Sequence, residues 1–251
     1  MRSQTEYEEA IRLCRSGLTD GAVGEQTGIP RRTVSGWRRG EAGTGLRRTS
    51  GGGCGAKHDF GNLPKTTYAY LLGLYLGDGC ISAAPKEVWR IRITLDSNYP
   101  EIIRRGLEAL ESIFPSNRAS VVHRRGRCVD LSLWSKHIPC FFPQHGPGPK
   151  HMREIALTTW QTQLLAGTRD MLLKGLIHSD GTRTIAVERK GSYVRRAPRY
   201  SFSNRSEDIK SIFCESCDML GIRWTRPSDR EIAVYRKASV AKLDEFIGPK
   251  R

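Results

Sequence analysis

The sequence predicts an α+β fold in which two pseudo-symmetric repeats of the order αββαββα follow a small all-α unit. Three observations predict it. A nine-residue run, Leu71-Leu72-Gly73-Leu74-Tyr75-Leu76-Gly77-Asp78-Gly79, returns as Leu173-Lys174-Gly175-Leu176-Ile177-His178-Ser179-Asp180-Gly181. Each copy is followed by two stretches of alternating apolar and polar residues, a helical stretch, and two more alternating stretches. Ahead of them, helical periodicity gives way near Gly40 to Gly, Ser, Thr and Arg, including Gly51-Gly52-Gly53. The expected division is a helical domain over 1–40, a linker over 41–63, a first repeat over 64–146 and a second over 147–251.

In chain order, Glu8-Glu9-Ala10-Ile11-Arg12-Leu13-Cys14 reads as an amphipathic helix that Gly17 ends, and Thr19 is placed to N-cap a second helix through Thr27. Gly28-Ile29-Pro30 breaks the chain, and a third helix spans 31–39 with Val34 and Trp37 on its buried side. This pattern resembles the helix-turn-helix family, with Gly28 in the turn, Ile29 and Val34 as core plugs, and the third helix as reader of the major groove. The resemblance implies DNA contacts from Arg31, Arg32, Thr33 and Ser35, and phosphate contacts from Arg38 and Arg39. The small residue that the family commonly draws from alanine is Gly24, and Gly36 is a second weak point. The competing reading is a three-helix cap with a solvated basic face.

The 41–63 segment reads as a flexible linker. Within it, Cys54-x-x-x-His58 has the spacing of half a zinc site, but no second Cys/His pair sits at a recognisable spacing, so a structural zinc is not expected. The seven cysteines form an odd, scattered set and read as thiols rather than a disulfide framework.

The repeated run reads as the end of an apolar helix, with Gly79 and Gly181 as left-handed residues that stop it. Its electrostatics are unusual. A helix C-terminus carries partial negative charge, so Asp78 and Asp180 are mildly unfavourable there, and a positive group beside each is expected; a hard divalent cation with oxygen ligands fits. Gly73 and Gly77, with Gly175 and Ser179, put small residues four apart on one face of each helix. If those faces pack on each other, the two aspartates end side by side.

On these residues the sequence resembles the LAGLIDADG homing endonucleases in their single-chain form with two motif copies. The resemblance implies that the motif helices form the interface between two halves and that Asp78 and Asp180 bind a divalent metal, Mg²⁺ or Mn²⁺, for hydrolysis of double-stranded DNA. The sixth motif position, often acidic in the family, is Leu76 in one copy and His178 in the other. Members often carry a basic residue near the end of the last hairpin, which here points to Lys136 and Lys237 as groups that polarise the attacking water. Asp96 and Asn204 occupy matching strand ends and are placed to orient that water.

The strands of the first repeat are read at 80–82 and 88–95, then 119–124 and 128–134 about Gly126, with a helix over 100–114 between the hairpins and a short closing helix over 135–142. Trp89, Ile91, Ile93 and Leu95 share one face, and Arg90, Arg92 and Thr94 the other. The second repeat replays the order: strands over 184–188 and 199–203 across a basic loop at 189–196, a helix over 207–220, strands at 222–225 and 231–235, and a closing helix over 237–247. The resemblance makes the two sheets a basic saddle over the major groove. Arg90, Arg92, Arg124, Arg127, Lys190, Arg195, Arg196, Arg199 and Arg226 are the expected DNA contacts.

A net charge of +15, from 41 Lys and Arg against 26 Asp and Glu, favours a polyanionic partner. No apolar run approaches the roughly 18 residues of a membrane span, and the first residues lack a signal peptide's apolar core. A cytoplasmic, nucleoid-associated protein is expected, monomeric because one chain carries both motifs. The competing function is a transcription regulator that keeps the saddle and has given up cutting. Both motif aspartates favour catalysis, while the added helix-turn-helix favours stable site binding. An intein carrying such a nuclease is not supported, since the chain opens with Met1-Arg2 and ends Gly248-Pro249-Lys250-Arg251, without a splice-junction cysteine or a His-Asn ending.

Overall fold

The computed structural model describes residues 4–43, 58–190, 193–248 and 250, and the chain divides into two compact units, 1–55 and 56–251. In the first, α1 (Gln4–Arg15), α2 (Asp20–Thr27) and α3 (Arg31–Gly43) close over Ala10, Cys14, Val23, Ile29 and Val34. Thr19 caps α2 by accepting from the Ala22 N–H at 3.3 Å, and Gly28 ends it with φ +66°, the left-handed conformation that favours glycine. At position 24 only glycine fits, because a Cβ there would lie 2.8 Å from the Ile29 carbonyl oxygen. Gly36 faces open space.

The second unit contains both repeats. The first runs α4 (Lys65–Asp78), β1 (Gly79–Ala83), β2 (Trp89–Asp96), α5 (Pro100–Ile113), β3 (Ser120–His123), β4 (Cys128–Ser135) and α6 (Ile138–Phe141). The second has α7 (Thr159–Leu165), α8 (Arg169–Asp180), β5 (Gly181–Lys190), β6 (Tyr193–Ser203), α9 (Glu207–Met219), β7 (Thr225–Ser228), β8 (Glu231–Val234) and α10 (Lys237–Ile247). Two antiparallel four-stranded sheets result, ordered β1-β2-β4-β3 and β5-β6-β8-β7. The α+β architecture with two like repeats is therefore as the sequence predicts. Ile91, Ile93, Leu95, Val129, Leu131 and Leu133 turn inward from the first sheet, and Tyr200, Phe202, Ile232 and Val234 from the second, into one core shared with α4 and α8.

The two motif helices are buried against each other, and α4 is covered from Tyr68 to Leu76, as a helix apolar all round must be. A Cβ on Gly73 would stand 2.5 Å from the Leu172 carbonyl oxygen, and one on Gly175 would stand 2.2 Å from that of Tyr70. A Cβ on Gly77 would meet Ser179. The backbones thus touch at the small-residue faces.

Three local expectations are corrected and one helix is added. Gly79 and Gly181 are not left-handed: their φ values are −85° and −104°, and glycine is required because a Cβ would strike Tyr75 and Ile177 one turn back. The expected basic loop at 189–196 is largely strand, since β5 and β6 continue to Lys190 and from Tyr193 in one long ribbon. Strand β7 begins at Thr225, so 222–224 stay outside it. Helix α7 was not foreseen, although Thr158 and Gln161 form a capping box: the Gln161 side chain accepts from the Thr158 N–H at 2.9 Å. Buried Gln161 also donates to the Tyr68 hydroxyl at 2.7 Å, tying α7 to α4. Phe60, near the end of the expected linker, stacks on Trp160 with ring centroids 4.0 Å apart. Among the described residues no helix is long and apolar enough to cross a membrane.

Two glycine substitutions should move stability in opposite directions. Gly175→Ala forces the motif helices apart and should cost about 1–3 kcal/mol in urea unfolding. Gly36→Ala, in open space on a helix, should stabilise α3 by about 0.5–1 kcal/mol, read as slower amide exchange there. An unchanged urea midpoint for Gly175→Ala would contradict the close helix contact.

Candidate active site

The glycine-packed helices deliver Asp78 and Asp180 to one place, each as the last residue of its helix. Burial raises the pKa of Asp78, the charge of Asp180 adds to it, and the carboxyl is pushed up to about 7. Asp180 is also raised by burial, against the hydrogen bond from Asn204 Nδ2 at 2.6 Å. Asn204 sits just past β6, at the strand end from which the sequence placed it beside the aspartates.

The positive groups beside this pair are Lys150 and Lys250. Lys150 Nζ donates to the carbonyls of Tyr75 at 2.5 Å, Leu76 at 2.8 Å and Gly77 at 2.9 Å, capping the end of α4. Burial lowers its pKa to about 8, against the opposing pull of Asp180 and Asp78. Lys250 donates to the Gly181 carbonyl, just past the end of α8, and burial lowers it too, against the attraction of Asp78 and Asp180. The two lysines stand at closely matching distances in sequence past their aspartates, each in the segment after the repeat's closing helix. That matched register was the signal available in the sequence, and reading it at the hairpin end missed it.

Lys136 and Lys237 lie elsewhere. Gly79 is level with Ile93 and Leu131 across the first sheet, so Lys136, five residues further on, is roughly 16 Å along the strand direction at about 3.3 Å per residue. Lys237 opens α10 in the corresponding place, and both are exposed. Neither is among the charges acting on the carboxylates.

A cavity of about 350 Å³ opens beside Asp180, lined by Gly77, Lys150, Asn204 and the exposed Arg205 and Arg230. The two arginines are further cationic groups not read from the sequence. Leu76 is fully buried, and His178 is buried with its Nδ1 accepting from the Tyr70 hydroxyl at 3.0 Å and its Nε2 donating to the Ile247 carbonyl at 3.3 Å. Burial, then Lys174, holds its pKa near 4, so it serves the helix interface as a neutral ring.

The two carboxylates are hard oxygen donors, and no group of three or more His, Cys, Asp or Glu side chains is assembled as a metal site among the described residues. That set suits Mg²⁺ or Mn²⁺, which bind through one or two carboxylates and take further oxygens from water and substrate phosphate. Cys54 lies outside the described residues, and the His58 ring packs edge-on against His137 at 5.0 Å and Phe141 at 5.1 Å.

Of the expected DNA contacts, several are held internally. Arg38 pairs with Asp20 at 3.0 Å, and Arg226 donates to Glu207 at 2.9 and 3.0 Å. Arg90, Arg92 and Arg124 lie on the open face of the first sheet in contact with β4. Arg199 donates to Thr184 at 3.3 Å on the open face of the second sheet, whereas Arg196 is on the opposite face by strand alternation. Arg31 and Arg127 are exposed, and Thr33 and Ser35 are half-buried on α3. The side chains of Arg32, Arg39, Lys190 and Arg195 lie outside the described residues.

No protein-family model and no curated protein matches the chain. Solved structures that it resembles include the N-terminal LAGLIDADG domain of DUF199/WhiA, 16% identical over 76% of this chain and 87% of that one, with a TM-score of 0.45. They also include I-DmoI in complex with DNA and Mn, 14% identical over 74% and 98% with a TM-score of 0.49. A third is the LAGLIDADG meganuclease I-AabMI bound to uncleaved DNA, 11% identical over 71% and 82% with a TM-score of 0.48. At such identities the likeness concerns the fold alone.

In chelator, the native state keeps a proton on Asp78 up to about pH 7 that the unfolded chain releases near pH 4. Its contribution to stability is therefore full below pH 4 and is lost as pH rises towards 7. Buried His178, whose pKa is lowered to about 4, acts in the opposite sense in both proteins, so the measure is the difference: in urea titrations wild type should lose stability relative to Asp78→Asn as pH rises across that range. Parallel profiles for the two proteins would refute the raised pKa.

Proposed function

We propose that the chain is a DNA endonuclease that hydrolyses phosphodiester bonds in double-stranded DNA with a divalent metal, Asp78 and Asp180 acting together. The observation that carries this reading is the buried carboxylate pair at two helix ends, with a lysine against each. Two carboxylates share a low-dielectric site where neither is comfortable, an arrangement that costs stability and is explained by a cation held there in use.

Asp78 and Asp180 are the residues that would hold Mg²⁺ or Mn²⁺. When bound, the cation supplies Lewis-acid stabilisation of charge on the phosphoryl oxygens and eases deprotonation of water. Asn204, hydrogen-bonded to Asp180, orients the carboxylate and presents its amide to the water lattice beside it. Lys150 and Lys250 place ammonium groups next to the scissile phosphate, where they offset the added negative charge as water oxygen joins phosphorus and the bond to the 3′ oxygen breaks. Arg205 and Arg230 line the adjacent cavity and fit a flanking phosphate.

The saddle of two sheets would lie along the major groove, and the three-helix unit, read as a helix-turn-helix through α2, the Gly28 turn and α3, would add a second contact with Arg31 towards the DNA. A single chain carrying both carboxylates needs no partner subunit. The regulator reading draws on the three-helix unit, which adds affinity for a site and nothing to hydrolysis.

The test is incubation of the purified chain with plasmids carrying genomic fragments, with Mg²⁺ or with chelator. Metal-dependent linearisation should disappear in Asp78→Asn and in Asp180→Asn. Lys150→Met should slow cleavage by about 100-fold while leaving DNA affinity within a factor of a few. Wild-type protein that retards a fragment in a gel yet never cuts it, with either metal, would replace this reading with the regulator.

A further inference from the structure

An acidic side chain lies on the open face of the first sheet, where a DNA-facing surface gains nothing from negative charge. Asp130 is 2% exposed. Burial would raise its pKa, but the Thr94 hydroxyl and the guanidinium groups of Arg124 and Arg92 hold it below the usual carboxylate value. Thr94 Oγ1 donates to Oδ1 at 2.8 Å, Arg124 Nε donates to Oδ2 at 2.5 Å with its Nη2 also 2.5 Å from that oxygen, and Arg92 Nε stands 3.9 Å from it. The carboxylate is sunk in the sheet and the two arginines rise from it, 47% and 37% exposed.

We propose that Asp130 is a positioning residue for base recognition, fixing Arg124 and Arg92 so that their remaining N–H groups meet guanine edges in the major groove under the first sheet. The inference rests on the DNA-binding reading above. A guanine is read by two N–H groups in a fixed fork on O6 and N7, a geometry that a free arginine adopts only at the expense of much rotamer freedom. A phosphate contact makes no such demand. An arginine held through Nε and one side of Nη2 by a buried carboxylate has less freedom left to lose and keeps Nη1 and the outer N–H of Nη2 for the base.

The neighbouring Arg90 is held in the same manner by a neutral partner. Its Nε and Nη2 donate to Ser132 Oγ at 3.2 and 2.7 Å, and its guanidinium lies 4.8 Å from the ring centre of Trp134. Among the described residues the open face of the second sheet has no such clamp; its carboxylate-held arginine, Arg183 on Asp244, lies on the opposite face. The pair that corresponds to Thr94 and Asp130 is Ser203 and Glu231, and the residue matching Arg92 is Ser201. Among the described residues no ion pair reaches Glu231. The device therefore belongs to one half of the saddle, and its effect should appear at one end of the target.

The experiment is selection of bound duplexes from a randomised library by the full chain, followed by affinities for the selected target and its single-base variants over a range of salt. Wild type should prefer guanine at one or two positions near one end. Asp130→Asn should lower discrimination at those positions by about tenfold, leave the other positions and the salt slope in place, and keep or slightly tighten non-specific binding, since a negative charge is lost. Arg124→Gln, at a half-exposed site, should lose the same positions and covers the case in which the Asp130 variant does not fold. Variants that keep the wild-type preferences, or that lose affinity equally for every sequence, overturn the positioning role. A wild-type chain with no base preference on any duplex overturns the DNA reading along with it.

Discussion

Backbone contact between the two motif helices is the constraint on which the rest of the second unit depends. At Gly73 and Gly175 there is no space for a single methyl group, and opposite Gly77 a serine hydroxyl and its Cβ fill the gap. Helices that approach this closely leave no freedom in the position of their ends. The chain turns out of each helix at Gly79 and Gly181 directly into the first strand of a sheet. The contact thereby sets the spacing of the repeats, the origin of both sheets and the meeting of Asp78 with Asp180.

That meeting is electrostatically adverse in three ways. The carboxylates are buried, they lie near each other, and each stands at the negative end of a helix. The lysines relieve part of this. Lys150 takes up three carbonyls of the last turn of α4, and Lys250 takes up the first carbonyl beyond α8. Both arrive from segments that follow their repeat's closing helix, and each acts on both carboxylates. The residual strain is what a divalent cation would relieve.

The surface charge is more organised than a net value of +15 suggests. Arg38, Arg124 and Arg226 are committed to carboxylates of the same chain, and Arg90 to a serine and a tryptophan face. Counting arginines locates a polyanion partner but not the contacts, because an arginine tethered beneath its guanidinium and one free in solvent do different work.

The sequence by itself determined the periodic and local features. Alternation in β2 and β4, the small residues of the motif helices, the Thr19 cap and the turn at Gly28 depend on neighbours within a few residues, and these carry the fold and the pairing of Asp78 with Asp180. Whatever depends on register between distant segments was decided by tertiary structure. Lys150 and Lys250 reach the aspartates because the segments after α6 and α10 return to the helix ends, and no local pattern marks that return. Lys136 and Lys237, nearer in sequence, are carried away by the rise of the strand. Gly79 and Gly181 show the same division: the need for glycine was legible, but its cause is a collision with the preceding turn rather than a positive φ.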